Sequence, residues 1–565
     1  MILPRFNWIM PVSVPEDIDI ELSSYSSAFR SILYQRDLCN EEEVLSFLLP
    51  KEPSWYSSQQ LLNIDKACLV IQSVIQNNEH IVIYGDYDAD GITSAAILTL
   101  ALSKVSTKLT SYIPNRLTEG YGLNNSALLT MAENGANLVI TVDNGIRSVD
   151  EIKYANSLGL KVIVTDHHTP EKSLPPAEVI LNPKLPGDSY PDKNLSGAGV
   201  TFKLVTALSK IFPVINPLDY LDLVAIGSVA DVVPLIGENR YLVRKGLALL
   251  NQTQRQGIFS LLGVSSLTPG RVRSSDISFQ IAPRINSSGR LGSADISLNL
   301  LISQDSQICG DLAQVLDNQN FQRKKASQNL ESKAEKIVIK DDPLPFILIA
   351  FAPNFHLGVV GIAAGALAKK YHHPSIVGNT GPEFTTASCR SIPEFNLISA
   401  LDQCKDLFVR YGGHPQAAGF TIANKNLPEL QNRLTSLAEK QLEGIDLRSS
   451  ISIDAIVSLE QLNAGFYSEL EKLEPTGSQN PEPTLLSTKL NATQIKVVGQ
   501  DGAHLKMKVT DGRFTLDAIG FGLGTLSNSI PPLFDAVYKF NLNEFRGKKT
   551  YQLVITDLKP SVSSS

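Results

Sequence analysis

Between residues 80 and 183 the chain repeats one pattern: a short β-branched apolar run, a loop, then an apolar-periodic stretch of helical length. HIVIYG (80–85), LTSYIP (109–114), NLVITVD (137–143), KVIVTD (161–166) and EVILNP (178–183) read as strands. ITSAAILTLALSKV, NSALLTMAENG and VDEIKYANSLG read as the helices between them. That alternation predicts a parallel sheet with helices on both faces. Such a sheet gathers ligands beyond the carboxyl ends of its strands. Three of the strands here stop on aspartate: Asp86 and Asp88 follow IVIYG, Asp143 ends LVITV and Asp166 ends KVIVT.

The rest of the chain divides around that sheet. Residues 1–75 form a helical and irregular extension, and 76–235 the parallel-sheet domain. A helical linker (236–342) includes the polar helix at 312–340. A second α/β domain (343–448) opens with PFILIAF, continues through the helix GVVGIAAGALAKKY and the glycine-rich turn YGGHPQAAGF, and ends in a helix over 424–448. After residue 449 short alternating segments separated by turns, from ISIDAIVSL to TYQLVITDLKP, predict a small β-barrel to residue 560, with a tail at 561–565.

Asp86, Asp88, Asp90 and Gly91 fit the first half of an EF-hand loop, but its twelfth position is Ile97 rather than Glu, and the loop follows a strand instead of a helix. Calcium is excluded on those grounds. Two imidazoles after a buried strand, in TDHH (165–168), suit Mn²⁺, Fe²⁺ or Zn²⁺ alongside carboxylates. In VADVVPL (229–235) Asp231 sits in an otherwise apolar helix, where an unpaired charge costs several kcal/mol, on the order of burying a lone ion. Taken together, Asp88, Asp90, Asp143, His167 and Asp231 form a set able to hold two divalent ions with Asp143 as the bridge. Asp86 orders the loop or binds just behind the ligands, and His168 is left to act on a substrate as general acid or phosphate ligand.

IVIYGDYDADG, PNRLTEGYGL, TVDNGI, TDHH, LSGAGV and VADVVPL, in that order and at these spacings, resemble the successive motifs of the DHH phosphoesterase superfamily, and within it the single-stranded-DNA exonucleases that degrade from the 5′ end. PRINSSGRLG (283–292), LGVVGIAA (357–364), SCRSI (388–392) and GGHPQAAGF (412–420) resemble the linker and accessory DHHA1 domain of those enzymes, and NPEP (480–483) the entry to their OB-fold. The resemblance implies an α/β DHH domain, a DHHA1 domain and an OB-fold barrel. It implies a hydrolase dependent on two Mn²⁺ or Mg²⁺ ions, releasing mononucleotides in DNA repair and recombination, with Asp86, Asp88, Asp90, Asp143 and His168 at the reacting centre. By motif, Asn115, Arg116 and His168 lie near the scissile phosphate. Arg284, Asn286, Arg290, Ser388, Arg390, Gly412, Gly413 and His414 hold flanking or terminal phosphates. The barrel adds grip, with Phe514, Phe521, Tyr538, Phe540, Phe545, Arg546, Lys548 and Lys549 as candidates, most of its aromatics belonging to its core. The implied partners are single-stranded DNA and a single-strand-binding protein or a helicase; the implied state is a monomer.

Four positions depart from the pattern. Tyr84 stands where many superfamily members have a metal-binding histidine. Gly365 and Ala366 stand where a small residue and a phosphate-binding arginine are expected, so no preference for a 5′-phosphorylated end carries over. Pro415-Gln416 replaces small or apolar residues, and EPTGSQNPEP a more regular stretch before the barrel.

Composition sets only outer limits. A net charge of −7 gives no global sign of nucleic-acid binding, but a carboxylate-rich metal site pulls the total down, and residues 481–560 carry ten basic against seven acidic side chains. Five scattered cysteines without CxxC spacing argue against a disulfide framework or structural zinc. No apolar run is long enough to span a bilayer, and MILPRFNWIM lacks a signal-peptide pattern, so a cytoplasmic protein without a membrane role is expected. Two other readings remain: a phosphodiesterase for oligonucleotides or cyclic dinucleotides with the same metals, and a catalytically dead scaffold, which the persistence of the acids disfavours.

Overall fold

The computed structural model describes residues 4–50, 55–116, 118–120, 122–339, 344–545 and 548–561. The linker boundary expected at 342/343 and the barrel candidate Arg546 lie outside them. The chain divides into two compact units: Trp55–Pro234 with Glu238–Leu447, and Met1–Ser54 with Leu235–Gly237 and Arg448–Ser565.

The first unit is built on the predicted sheet. Strands β1 (His80–Gly85), β2 (Leu109–Tyr112), β3 (Ala136–Val142), β4 (Lys161–Thr165) and β5 (Val179–Leu181) lie in the order β2-β1-β3-β4-β5, all parallel. Their β-branched runs are buried on both faces, as a sheet covered by helices requires. Helix α1 (Ala89–Leu102) follows β1, α2 (Asn125–Glu133) follows β2 and α3 (Val149–Ser157) follows β3; α4 (Gly197–Leu208) and α5 (Leu221–Ala230) complete the core against α1. Each start has a chemical cause. Asp88 caps α1 through the amides of Asp90 and Gly91, Asn124 caps α2 through that of Ala127, and Ser196 caps α4 through that of Gly199.

Beyond α5 come helices including α6 (Ala282–Leu291), and then α7 (Ser306–Val338), 33 residues long and capped by Asp305. The polar helix expected at 312–340 thus begins six residues earlier. The DHHA1-like part is a five-stranded mixed sheet. β6 (Leu348–Ala352), β7 (Ser375–Thr380), β8 (Phe384–Arg390), β9 (Phe408–His414) and β10 (Ala417–Ala423) run in the order β9-β10-β8-β7-β6, and only β6 and β7 are parallel. α8 (Leu357–Tyr371) packs on it, and the helix expected at 424–448 spans Leu427–Leu442. The glycine-rich turn expected at 411–420 is a hairpin instead. Gly412 and Gly413 lie in β9, paired with Gly419 and Ala418, and Pro415-Gln416 forms the two-residue loop. Gly413, at φ +152°, has no room for a Cβ, which would sit 2.4 Å from the Ala417 carbonyl oxygen.

The second unit is a five-stranded barrel, β11 (Leu485–Val498), β12 (His504–Thr510), β13 (Thr515–Gly520), β14 (Phe534–Phe545) and β15 (Lys548–Pro560), closed by pairing β11 with β14. Its core extends into the N-terminal helices, where Leu22, Phe29, Ile32 and Leu33 join Leu485, Phe534 and Tyr538. The extension expected at 1–75 is therefore shared between the two units. Among the barrel candidates Tyr538 and Phe540 are core residues, whereas Phe514, Phe521 and Lys549 are exposed. The side chains of Phe545 and Lys548 lie outside what is described.

Candidate active site

The carboxyl ends of β1, β3 and β4 and the last turn of α5 bring acids and imidazoles into one hollow. Three sets of ligand atoms lie within metal-binding reach: Asp86, Asp88 and Asp143; Asp90, His167 and Asp231; and Asp143, His167 and His168. His167 Nε2 is 3.1 Å from Asp143 Oδ1, 3.6 Å from Asp231 Oδ2 and 4.0 Å from Asp90 Oδ2. Asp143 belongs to two of the sets, the position a bridging ligand must have. Asp86 is grouped directly with Asp88 and Asp143. Asp231 is the residue just after α5 rather than within an apolar helix, and this frees its carboxylate to turn toward the cluster.

Tight packing fixes these side chains. Asp90, 1% exposed, accepts the Gly197 amide at 2.6 Å and the Ala198 amide at 2.9 Å, so the start of α4 is built onto it. A Cβ on Gly197 would sit 2.6 Å from that of Asp143, and one on Gly227 would sit 2.6 Å from Asp90 Oδ1. Asp143 itself adopts the left-handed backbone conformation, φ 62°. Tyr84, at the position of the missing histidine, is a fully buried residue of β1. Its hydroxyl donates to the Gly122 carbonyl at 3.0 Å and accepts from Asn124 Nδ2. It is core, and the ligand it replaces is not supplied by it.

The residues fit a divalent cation. Asp143 Oδ1 and His167 Nε2 are buried without a hydrogen-bond partner, a costly arrangement unless another group uses them. Burial, then mutual repulsion with neighbouring carboxylates, holds Asp86, Asp90 and Asp143 well above the usual carboxylate range. Burial, then Asp88, pushes Asp231 up to about 7. Burial, then His168, pushes His167 down to about 3, leaving the neutral imidazole a metal needs, with its ring also hydrogen-bonded to the Leu195 backbone.

One consequence is measurable. Below about pH 7 a metal must displace the Asp231 proton, so Mn²⁺ affinity is expected to rise with pH through about 7, with proton release at pH 6. Calorimetric titration in buffers of different ionisation enthalpy checks this; binding without proton release would contradict it.

Asp166 is the organiser that sequence reasoning passed over. Its Oδ1 accepts the His167 amide at 2.7 Å, the His168 amide at 3.1 Å and His168 Nδ1 at 2.8 Å, and its Oδ2 accepts the Ile146 amide at 3.0 Å. Burial alone would raise its pKa, but the His168 bond and charge and the Ile146 amide outweigh that and lower it. His168 responds in the opposite sense: burial is outweighed by Asp166, Asp90 and Asp88, and its pKa rises, favouring an imidazolium. The signal was present in TDHH, whose aspartate ends a strand as the others do.

The expected phosphate ligands fall into two groups. Arg116 lies over the Tyr87 ring at 5.0 Å, Arg290 donates to the Gly358 carbonyl at the start of α8, and Arg390 donates to the Cys389 carbonyl. A Cβ on Gly361 would lie 3.4 Å from both Arg390 Nη2 and Ser388 Oγ, so the glycine face of α8 accommodates this corner. Burial lowers the pKa of both Arg290 and Arg390, and Arg116 adds to it in each case. Gly412 and His414 are exposed on the hairpin. Other residues are committed to the protein. Arg284 is ion-paired with Asp317 at 2.8 Å and donates to the Gln280 and Val264 carbonyls; Asn286 accepts the Ala89 amide at 2.7 Å and so steadies the start of α1; Asn115 donates its amide to Glu119.

A parallel sheet ending in clustered aspartates and a His-His pair, followed by a helical linker and a mixed-sheet accessory domain, defines a DHH-type phosphoesterase. Family models agree: the DHH family N-terminal domain matches residues 80–228, the DHHA1 domain 345–440 and the RecJ OB domain 453–557. The chain belongs to the RecJ family of single-stranded-DNA-specific exonucleases. It is 36% identical over 531 residues to RecJ of Bacillus subtilis, covering 93% of this chain and 67% of that one. It is 34% identical over 530 residues to RecJ of Salmonella typhimurium, covering 89% and 91%. Its fold matches the crystal structure of RecJ in complex with Mn²⁺ from Thermus thermophilus with a TM-score of 0.85 at 28% identity, over 99% of this chain and 80% of that one. Among the described residues no helix is long and apolar enough to cross a membrane.

Proposed function

We propose that this enzyme hydrolyses single-stranded DNA from its 5′ end to mononucleotides, using two divalent ions, Mn²⁺ or Mg²⁺, in repair and recombination in the cytoplasm. The observation that carries the reading is the shared atom set: Asp143 is common to the Asp86/Asp88 group and the His167/His168 group, and Asp90, His167 and Asp231 form a third set beside them. Bound there, such ions supply Lewis-acid charge and lower the pKa of a water at the phosphoryl centre. The remaining work falls to the chain. The buried acids and His167 fix the ion positions, and Gly197 and Ala198 lock Asp90. Asp166 orients the His168 ring through Nδ1, and His168 protonates a leaving oxygen or binds a phosphate. Arg116, Arg290 and Arg390, with Ser388 and the exposed Gly412–His414 edge, offer donors to the strand's phosphates. Phe514 and Phe521 offer exposed rings for base stacking on the barrel.

Strands labelled at either end, incubated with Mn²⁺ and with chelator, test this. The expected result is immediate appearance of the 5′ label as mononucleotide, the 3′ label persisting on shortening intermediates, and no reaction in chelator. Release of the 3′ label first, or turnover of dinucleotides with long strands spared, would overturn it; the latter would favour a small-substrate phosphodiesterase.

A further inference from the structure

The linker helix α7 carries a buried stripe: Cys309, Ala313, Leu316, Asn320, Ser327, Leu330, Ala334 and Val338. Steps of three and four residues run along it; between Asn320 and Ser327 both Arg323 and Lys324 continue the spacing, and of the two Arg323 is the half-buried one while Lys324 is exposed. Arg323 is the only charged residue on the stripe. Its half-buried guanidinium donates from Nη2 at 2.9 Å and Nε at 3.3 Å to a single acceptor, Oδ1 of Asn320, itself 2% exposed. Asn320 thereby holds the fork in place without neutralising it.

Two other arginines of this unit are treated differently. Arg284 has Asp317, and Arg255 has Asp222. Among the described residues no carboxylate pairs with Arg323; burial is what lowers its pKa. Gln319, one turn earlier on the same helix, lies against Gly292, two residues past Arg290. Arg290 is pushed down to about 10 by burial, then by Arg116 and Arg323. The charges of Arg116 and Arg323 thus both oppose that of Arg290, and Arg116 lies over the ring of Tyr87 in the aspartate loop, an arrangement that an arriving anion relieves.

We propose that Arg323, held by Asn320, is a further ligand for a phosphate of the bound strand, acting beside Arg290. The inference rests on the exonuclease reading above. A guanidinium fork aimed by a neutral amide matches a phosphate oxyanion, whether that phosphate is the 5′-terminal one or an internal diester.

The test compares wild type, Arg323→Ala, Arg323→Lys and Asn320→Asp on strands bearing a 5′-phosphate or a 5′-hydroxyl, with Mn²⁺. Binding of labelled oligo-dT is followed in chelator as salt is varied. Arg323→Ala is expected to raise KM roughly tenfold or more, as loss of a charge-assisted hydrogen bond does, with a smaller change in kcat. The slope of log affinity against log salt should fall by about 0.7, one single-strand phosphate contact. Arg323→Lys keeps the charge and should lose less. Asn320→Asp is the discriminating variant. It supplies the carboxylate that Arg323 lacks, so it should raise the Tm of the free protein while weakening strand binding. An effect confined to 5′-phosphorylated strands identifies the terminal phosphate; an equal effect on both identifies an internal diester. Active wild type with KM and salt slope unchanged in Arg323→Ala, or in Arg323→Lys and Asn320→Asp should the alanine variant not fold, overturns this inference alone. Inactive wild type would instead refute the exonuclease reading.

Discussion

Replacing Asp143 by Asn is expected to cut Mn²⁺-dependent hydrolysis of single-stranded DNA by at least about a thousandfold, well beyond the ~10–100-fold typical of outer-shell changes at a metal site. The same change is expected to raise the Tm of the metal-free protein. Both effects have one cause. Asp143 is 2% exposed, its Oδ1 has no hydrogen-bond partner, and burial followed by repulsion from Asp90, Asp88, Asp86 and Asp231 holds its pKa well above the ordinary value. Without a cation its charge opposes folding; with one it is the shared ligand of two sets. An amide keeps the shape, removes the repulsion and forfeits the bridge. Single-turnover assays, with melting curves with and without Mn²⁺, check the pair. A variant that loses stability in chelator, or keeps its Mn²⁺-dependent rate, would contradict the account.

Gly227→Ala should be nearly as damaging, although a glycine-to-alanine change inside a helix ordinarily stabilises by up to about 1 kcal/mol. Here the sign reverses, because the new methyl would meet Thr93 Oγ1 at 2.5 Å, Asp90 Oδ1 at 2.6 Å and the Ala198 Cβ at 2.7 Å. Asp90 cannot yield: both its oxygens are held by the start of α4. A loss of about 1–3 kcal/mol, the usual scale of overpacking, is expected, together with weaker Mn²⁺ binding as Asp90 is displaced. Gly310→Ala is the control. Gly310 lies in the long helix with nothing within 4 Å of the added atom, and that change should stabilise. Urea unfolding of the two variants side by side separates packing from helix propensity.

The part of the site legible in the sequence is the part carried by local pattern. Each strand end could be located because β-branched runs stop abruptly on Asp86, Asp143 and Asp166, and a parallel sheet aligns such ends. Asp231 stood out because an apolar segment does not tolerate an unexplained charge. Features made by distant pairing were hidden. Nothing near Asp166 in the sequence announces that it takes the Ile146 amide from 20 residues away, or that Gly197 and Ala198 close on Asp90 from 107 and 108 residues away. Arg284 and Arg290 look alike in PRINSSGRLG, yet Asp317, on another helix, neutralises only Arg284. Arg323 escaped notice for a related reason. Its meaning comes from the stripe it interrupts, and a polar helix rich in Gln, Lys and Asn masks that stripe until burial is known. The N-terminal helices, too, gave no sign that Leu22, Phe29 and Ile32 complete the core of a barrel more than 400 residues later.

Anomalous diffraction at the manganese edge from crystals grown with Mn²⁺ tests the central claim most directly. The account predicts two peaks flanking the Asp143 carboxylate, one toward Asp86 and Asp88 and the other toward His167. A single peak away from Asp143, or none at saturating Mn²⁺, would contradict it.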